Sequence, residues 1–110
     1  MVVEDTVRIT KPAENFCRFS NNQVTILDLS NFDTSKVTNM GYMFSGSNNL
    51  KTIYISDKFN IDSVTSSNRM FYYCTNLVGG SGTKYNSSYA DKTYAHIDGG
   101  TSNPGYFTAK

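Results

Sequence analysis

The sequence predicts an α/β fold: a short solenoid of two tandem strand-and-helix units, closed at both ends by segments outside the repeat. Three observations predict it. Blocks of residues recur at a fixed offset, and each block opens on an alternating apolar run. The chain of 110 residues is also rich in Tyr, Phe, Asn, Ser and Thr, a composition that favours strands and turns over long helices. At this length it makes one domain with a modest core.

The repeat is read directly. Met43-Phe44 recurs as Met70-Phe71, and Val37-Thr38 as Val64-Thr65, both 27 positions on. Phe32, Asn49 and Leu50 recur as Phe59, Asn76 and Leu77 at the same offset. Upstream the offset is 26, with Val24, Leu27, Leu29 and Ser30 matching Leu50, Ile53, Ile55 and Ser56. One extra residue near Asp57-Lys58 explains the slip. The division is therefore 1–23 as N-terminal cap, 24–49 and 50–77 as the two units, and 78–110 as C-terminal cap.

Each element follows from its pattern. Strands are expected near 26–29 and 52–55, because apolar residues alternate there. Leu27, Leu29, Ile53 and Ile55 point inward, whereas Ile26, Asp28, Ser30, Thr52, Tyr54 and Ser56 point out. Short helices are expected near 37–44 and 64–72, where Val37, Met40, Met43 and Phe44, then Val64, Met70 and Phe71, are spaced like one helical stripe. Gly46 stands where the first helix should stop. Before the units, Val7–Thr10 reads as a strand and Ala13–Phe19, after Pro12, as a short helix. After them, a strand or hairpin is expected near 93–98. An N-terminal cap over the first strand's edge predicts a monomer.

Composition removes several function classes. Ten Lys and Arg face nine Asp and Glu, with no charge run longer than Glu4-Asp5, so no nucleic-acid or anionic-membrane footprint is expected. No segment is long and apolar enough to insert in a membrane. Met1-Val2-Val3-Glu4-Asp5 has neither the basic start nor the apolar run of an export signal.

Leu27-Asp28-Leu29-Ser30-Asn31-Phe32-Asp33-Thr34-Ser35-Lys36-Val37-Thr38-Asn39-Met40, followed by Met43-Phe44, closely resembles the BspA-type leucine-rich repeats of bacterial surface proteins. The tail, with Gly79–Tyr85, Thr93–Gly100 and Pro104–Thr108, resembles the closing segment of such arrays. The resemblance implies a leucine-rich-repeat-like fold, a place outside the cell or at its surface, and a non-enzymatic role in adhesion or protein binding. The lack of a visible export signal leaves a cytoplasmic location open. The alternative is a small free-standing inhibitor, encoded on a mobile element, that blocks a protein partner.

Candidate chemistry is thin, and no catalytic, metal or cofactor residue is expected. His96 and Asp98 pair in sequence, but hydroxyls surround them everywhere, so proximity to a Ser or Thr carries no meaning. One His and two distant Cys do not make a zinc set. Cys17 and Cys74 are too few for a disulfide framework, and Cys74, aligned with Ser47, reads as a small buried thiol. Gly79-Gly80-Ser81-Gly82 lacks the ending of a phosphate loop and reads as a turn. The expected partner surface is the outward strand row Ile26, Asp28, Ser30, Thr52, Tyr54 and Ser56, with Tyr54 as anchor and Asp28 giving polar selectivity. Tyr85, Tyr89 and Tyr94 are secondary candidates, since tyrosine is enriched in binding hot spots.

Overall fold

The computed structural model describes the backbone of residues 6–8 and residues 23–110 in full. Four short strands, β1 (Thr6–Arg8), β2 (Ile26–Asp28), β3 (Thr52–Ile55) and β4 (Phe107–Ala109), form one parallel sheet in the order β1-β2-β3-β4. The register sets Leu27 opposite Ile53, and Ile53 opposite Phe107. The alternation read from the sequence therefore places β2 and β3 correctly, and Leu27, Leu29, Ile53 and Ile55 are all buried. β1 overlaps the expected Val7–Thr10 strand at Val7 and Arg8 and pairs with β2, while Ile9 and Thr10 lie outside the described residues. The helix expected at Ala13–Phe19 lies outside the described residues.

The expected helices at 37–44 and 64–72 are absent; both segments are chains of turns. The apolar spacing is close to three residues. Most turns close with a bond from residue i to i−3, and the buried side chains fall about three residues apart, except at the adjacent Met43 and Phe44. Val37 N bonds Thr34 O, Met43 N bonds Met40 O, Ser47 N bonds Phe44 O, and Leu50 N bonds Ser47 O. The second unit repeats this with Val64, Met70, Cys74 and Leu77 as donors. Backbone amides that an α-helix would pair internally reach across instead. The N–H groups of Met40, Tyr42, Phe44 and Gly46 donate to the carbonyls of Ser66, Asn68, Met70 and Tyr72 at 2.7–3.0 Å. Two local features block the helix. The Asn39 side chain takes the Gly41 N–H at 2.8 Å, and Tyr42 and Arg69 are left-handed at φ 59° and 55°.

The C-terminal cap also differs from expectation. Residues 93–98 hold no strand beyond an isolated pairing of Ile97 with Phe107, and the cap's own strand is β4, closer to the terminus. The cap completes the stack that the two units begin. Phe44 N donates to Met70 O, and its counterpart Phe71 N donates to Ala90 O, both at 2.8 Å. β4 drives Tyr106 and Phe107, both fully buried, into the core. There Phe71 stacks on Phe44 at 5.3 Å and meets Tyr106 at 4.9 Å and Phe107 at 5.8 Å.

Cys74 is a free buried thiol, as its alignment with Ser47 suggested. It donates to Phe44 O at 3.0 Å. Burial pushes its pKa up to about 12, only partly offset by a backbone bond at Ser47. A thiol that stays protonated is unreactive. In a Cys17→Ser background, a thiol-specific reagent at neutral pH should leave the native protein unlabelled and label it at once in denaturant. Rapid native labelling would contradict this burial.

Candidate functional site

The outer face of the sheet carries the expected row, in altered form. Tyr54 stands between Asp28 and Thr108 in register, and Ile26 stands beside Thr52. Ile26, Ser30, Thr52, Tyr54 and Ser56 are half-buried. Asp28 is only 1% exposed, which removes it as a selectivity residue for a partner. Its carboxylate pairs with Lys110 Nζ at 3.1 Å and accepts the Ser30 N–H at 2.9 Å. The same Lys110 ammonium sits 4.9 Å from the centre of the Tyr54 ring. Lys110, positioned by its N–H bond to Ile55 O, thus pairs with Asp28 and steadies Tyr54. Sequence reading missed this because nothing in the pattern places residue 110 beside residue 28. Ser30 and Ser56 are joined to each other, the Ser56 hydroxyl donating to Ser30 O.

The cap tyrosines divide. Tyr106 is the hub, donating its hydroxyl to Tyr89 O at 2.9 Å and accepting the Asn86 N–H at 3.1 Å. Burial pushes its phenol up to about 12. Tyr85 and Tyr94 lean on it half-buried, with ring centres at 6.0 and 5.1 Å. Tyr89 stacks on Tyr94 at 4.5 Å and 10° yet remains 38% exposed. Tyr85 and Tyr94 are thus mainly structural, and Tyr89 is the one of the three that presents a ring to solvent.

Asp98 anchors the cap. Its carboxylate accepts N–H bonds from Ser81 (2.9 Å), Thr83 (3.0 Å), Gly100 (3.0 Å) and Gly105 (3.3 Å), and the Thr83 hydroxyl at 2.7 Å. Burial alone would push the carboxyl up. The bonds from Thr83, Gly100 and Ser81 outweigh that and hold it far below the usual carboxylate range. His96 turns Nδ1 toward Ile97 O at 3.0 Å. Asp98 is therefore occupied by backbone donors of its own loop. Among the described residues no group of three His, Cys, Asp or Glu is placed to hold a metal ion. An open cleft of about 420 Å³ lies between the second unit and the cap, floored by Ile55, Phe59 and Ala95.

Fold and surface together define a class: a small parallel-sheet domain in which two repeated turn-rich units and a cap stack side by side, with tyrosines on its surface. The chain belongs to the family described as Mycoplasma protein of unknown function, DUF285, whose profile matches residues 4–103. No curated protein and no solved structure matches it. Among the described residues no helix is long and apolar enough to cross a membrane.

Proposed function

We propose that the chain is a non-enzymatic protein-binding module, built as a short leucine-rich-repeat-like solenoid of the BspA type and displayed outside the bacterial cell or at its surface. It acts as a monomer and meets its partner on the outer face of the sheet. The observation that carries this reading is Tyr54. Its half-exposed ring is fixed between β2 and β4 and held by the Lys110 ammonium, so it is presented with little conformational freedom left to lose. Stacked-repeat proteins offer their partners rigid, regular surfaces of this kind. Ile26 and Thr52 supply the neighbouring contact. A free-standing inhibitor that blocks a protein partner would use the same face, and only the partner would differ.

Tyr54→Ala should cost less than about 1 kcal/mol in folding, the scale of one exposed cation–π contact. It should weaken partner binding by about 30-fold, as truncating an anchor costs about 2 kcal/mol. Denaturant unfolding checks the first number, and affinity for a partner captured from bacterial or host extract checks the second. A second reading rests on the exposure of Tyr89. Tyr89→Ala abolishing binding while Tyr54→Ala leaves it unchanged would move the interface to the cap.

A further inference from the structure

The second unit carries a tyrosine where the first carries a glycine. Tyr73 follows Gly46 by 27 positions, and both are left-handed, at φ 64° and 80°. Glycine takes this conformation freely, whereas a larger side chain costs of order 1–3 kcal/mol. Tyr73 is also 59% exposed, the most of any large apolar residue among those described. It therefore gives the core little in return for its strain. What it does is present a ring. Tyr72 lies against it with ring centres 4.2 Å apart, and the Arg69 guanidinium sits 4.9 Å from the centre of the Tyr72 ring. Arg69 is itself left-handed at φ 55°.

Beside the Tyr72 ring opens a shallow cleft of about 280 Å³, lined by Asn68, Arg69, Tyr72, Ser87, Ser88, Ala90 and Asp91, and Tyr73 joins it through its contact with Tyr72. The lining is polar and its charges balance, one guanidinium against one carboxylate. Asp91 uses Oδ1 to accept the Thr93 N–H at 2.9 Å, and a carboxylate has further lone pairs to offer.

We propose that the Tyr72-Tyr73 platform and its cleft bind a neutral oligosaccharide of hexopyranose units with equatorial hydroxyls. Such a sugar has apolar C–H faces that lie flat on an aromatic ring. Its hydroxyls each donate and accept, matching a lining of Asn68, Ser87 and Ser88, which do both, Arg69, which only donates, and Asp91, which only accepts. Single-stranded nucleic acid also stacks on aromatic rings, but it needs a basic track along its backbone, and here one Arg is cancelled by one Asp. A proline-rich peptide docks on aromatic rings as well. It offers carbonyl acceptors, but its prolines have no N–H, so it brings few donors to Asp91. This site is separate from the sheet face and does not depend on the reading of that face.

The test is titration of the full chain, followed by amide NMR shifts, with cellotetraose, chitotetraose and a proline-rich peptide as probes. The expected result is movement of the amides of 68–73 and 87–91 with at least one oligosaccharide. Tyr73→Gly, which places in the second unit the residue the first already has, should weaken that binding at least about tenfold, roughly 1.4 kcal/mol. Its denaturation midpoint should equal or exceed the parent's, because the strain is relieved. Asn68→Ala, on the cleft side, should weaken binding without moving the midpoint. No shift with either sugar, shifts with the peptide alone, or parent-like sugar binding by Tyr73→Gly overturns the proposal.

Discussion

Phe71→Ala should cost about 4 kcal/mol of folding stability, within the range for emptying a buried aromatic site. Phe71 is fully buried and touches the rings of three other core residues: Phe44 from the first unit, and Tyr106 and Phe107 from the cap. Removing it leaves a cavity where both units and the cap meet. The neighbours cannot collapse into it freely, because the Phe44, Met70 and Phe71 backbones are tied into the bonds that join one layer to the next. Denaturant unfolding measures the effect. A loss under about 1 kcal/mol would mean that the three layers do not share one core.

Asp98→Ala should be the next most damaging change, at about 3 kcal/mol, because several converging donors lose a charged acceptor together. The bond from the Gly105 N–H to Asp98 is buried, so the change leaves a buried donor without its acceptor. Gly79 packs so closely on this loop that a Cβ there would run into Gly105 O and the Asp98 carboxylate. The same bonds set a pH dependence. Because the folded carboxyl titrates below its unfolded value, its stabilisation is fully present above the unfolded pKa, near 4, and is lost as pH falls through the folded one. Between about pH 5 and about pH 2 the parent should therefore lose more stability than Asp98→Asn, which cannot titrate. Asp33 and Asp91 are also lowered, by bonds from Ser35 and from Thr93, but they remain in both proteins and cancel in the difference. Parallel acid-stability curves for the two proteins would contradict the role given to Asp98.

The strands were legible because alternation at Leu27-x-Leu29 and Ile53-x-Ile55 has one reading, a half-buried ladder. The turn-rich segments were not. A spacing of three residues, as in Val37, Met40 and Met43, suits a helical stripe and a stack of three-residue turns equally. The choice falls to bonds with the neighbouring unit that no local pattern records. β4 was missed because Phe107–Ala109 is three residues long and earns its strand from pairing with β3. Of the candidate site, Tyr54 was legible from parity alone. The burial of Asp28 was not, since its place between β1 and β3 and its pairing with Lys110 come from distant parts of the chain. Asp98 looked like a partner for His96 by proximity in sequence, whereas its bonds come from Ser81, Thr83, Gly100 and Gly105. Tyr73 was invisible as a site because its strain shows only in the backbone.

The most direct measurement of where a protein partner docks is hydroxyl-radical footprinting of the chain with and without a captured partner. The sheet-face reading predicts that labelling falls at Tyr54 and Ile26 when the partner is added, while Tyr89 and Ile97, which are exposed at the cap, stay labelled. Loss of labelling at Tyr89 with Tyr54 unchanged would contradict it.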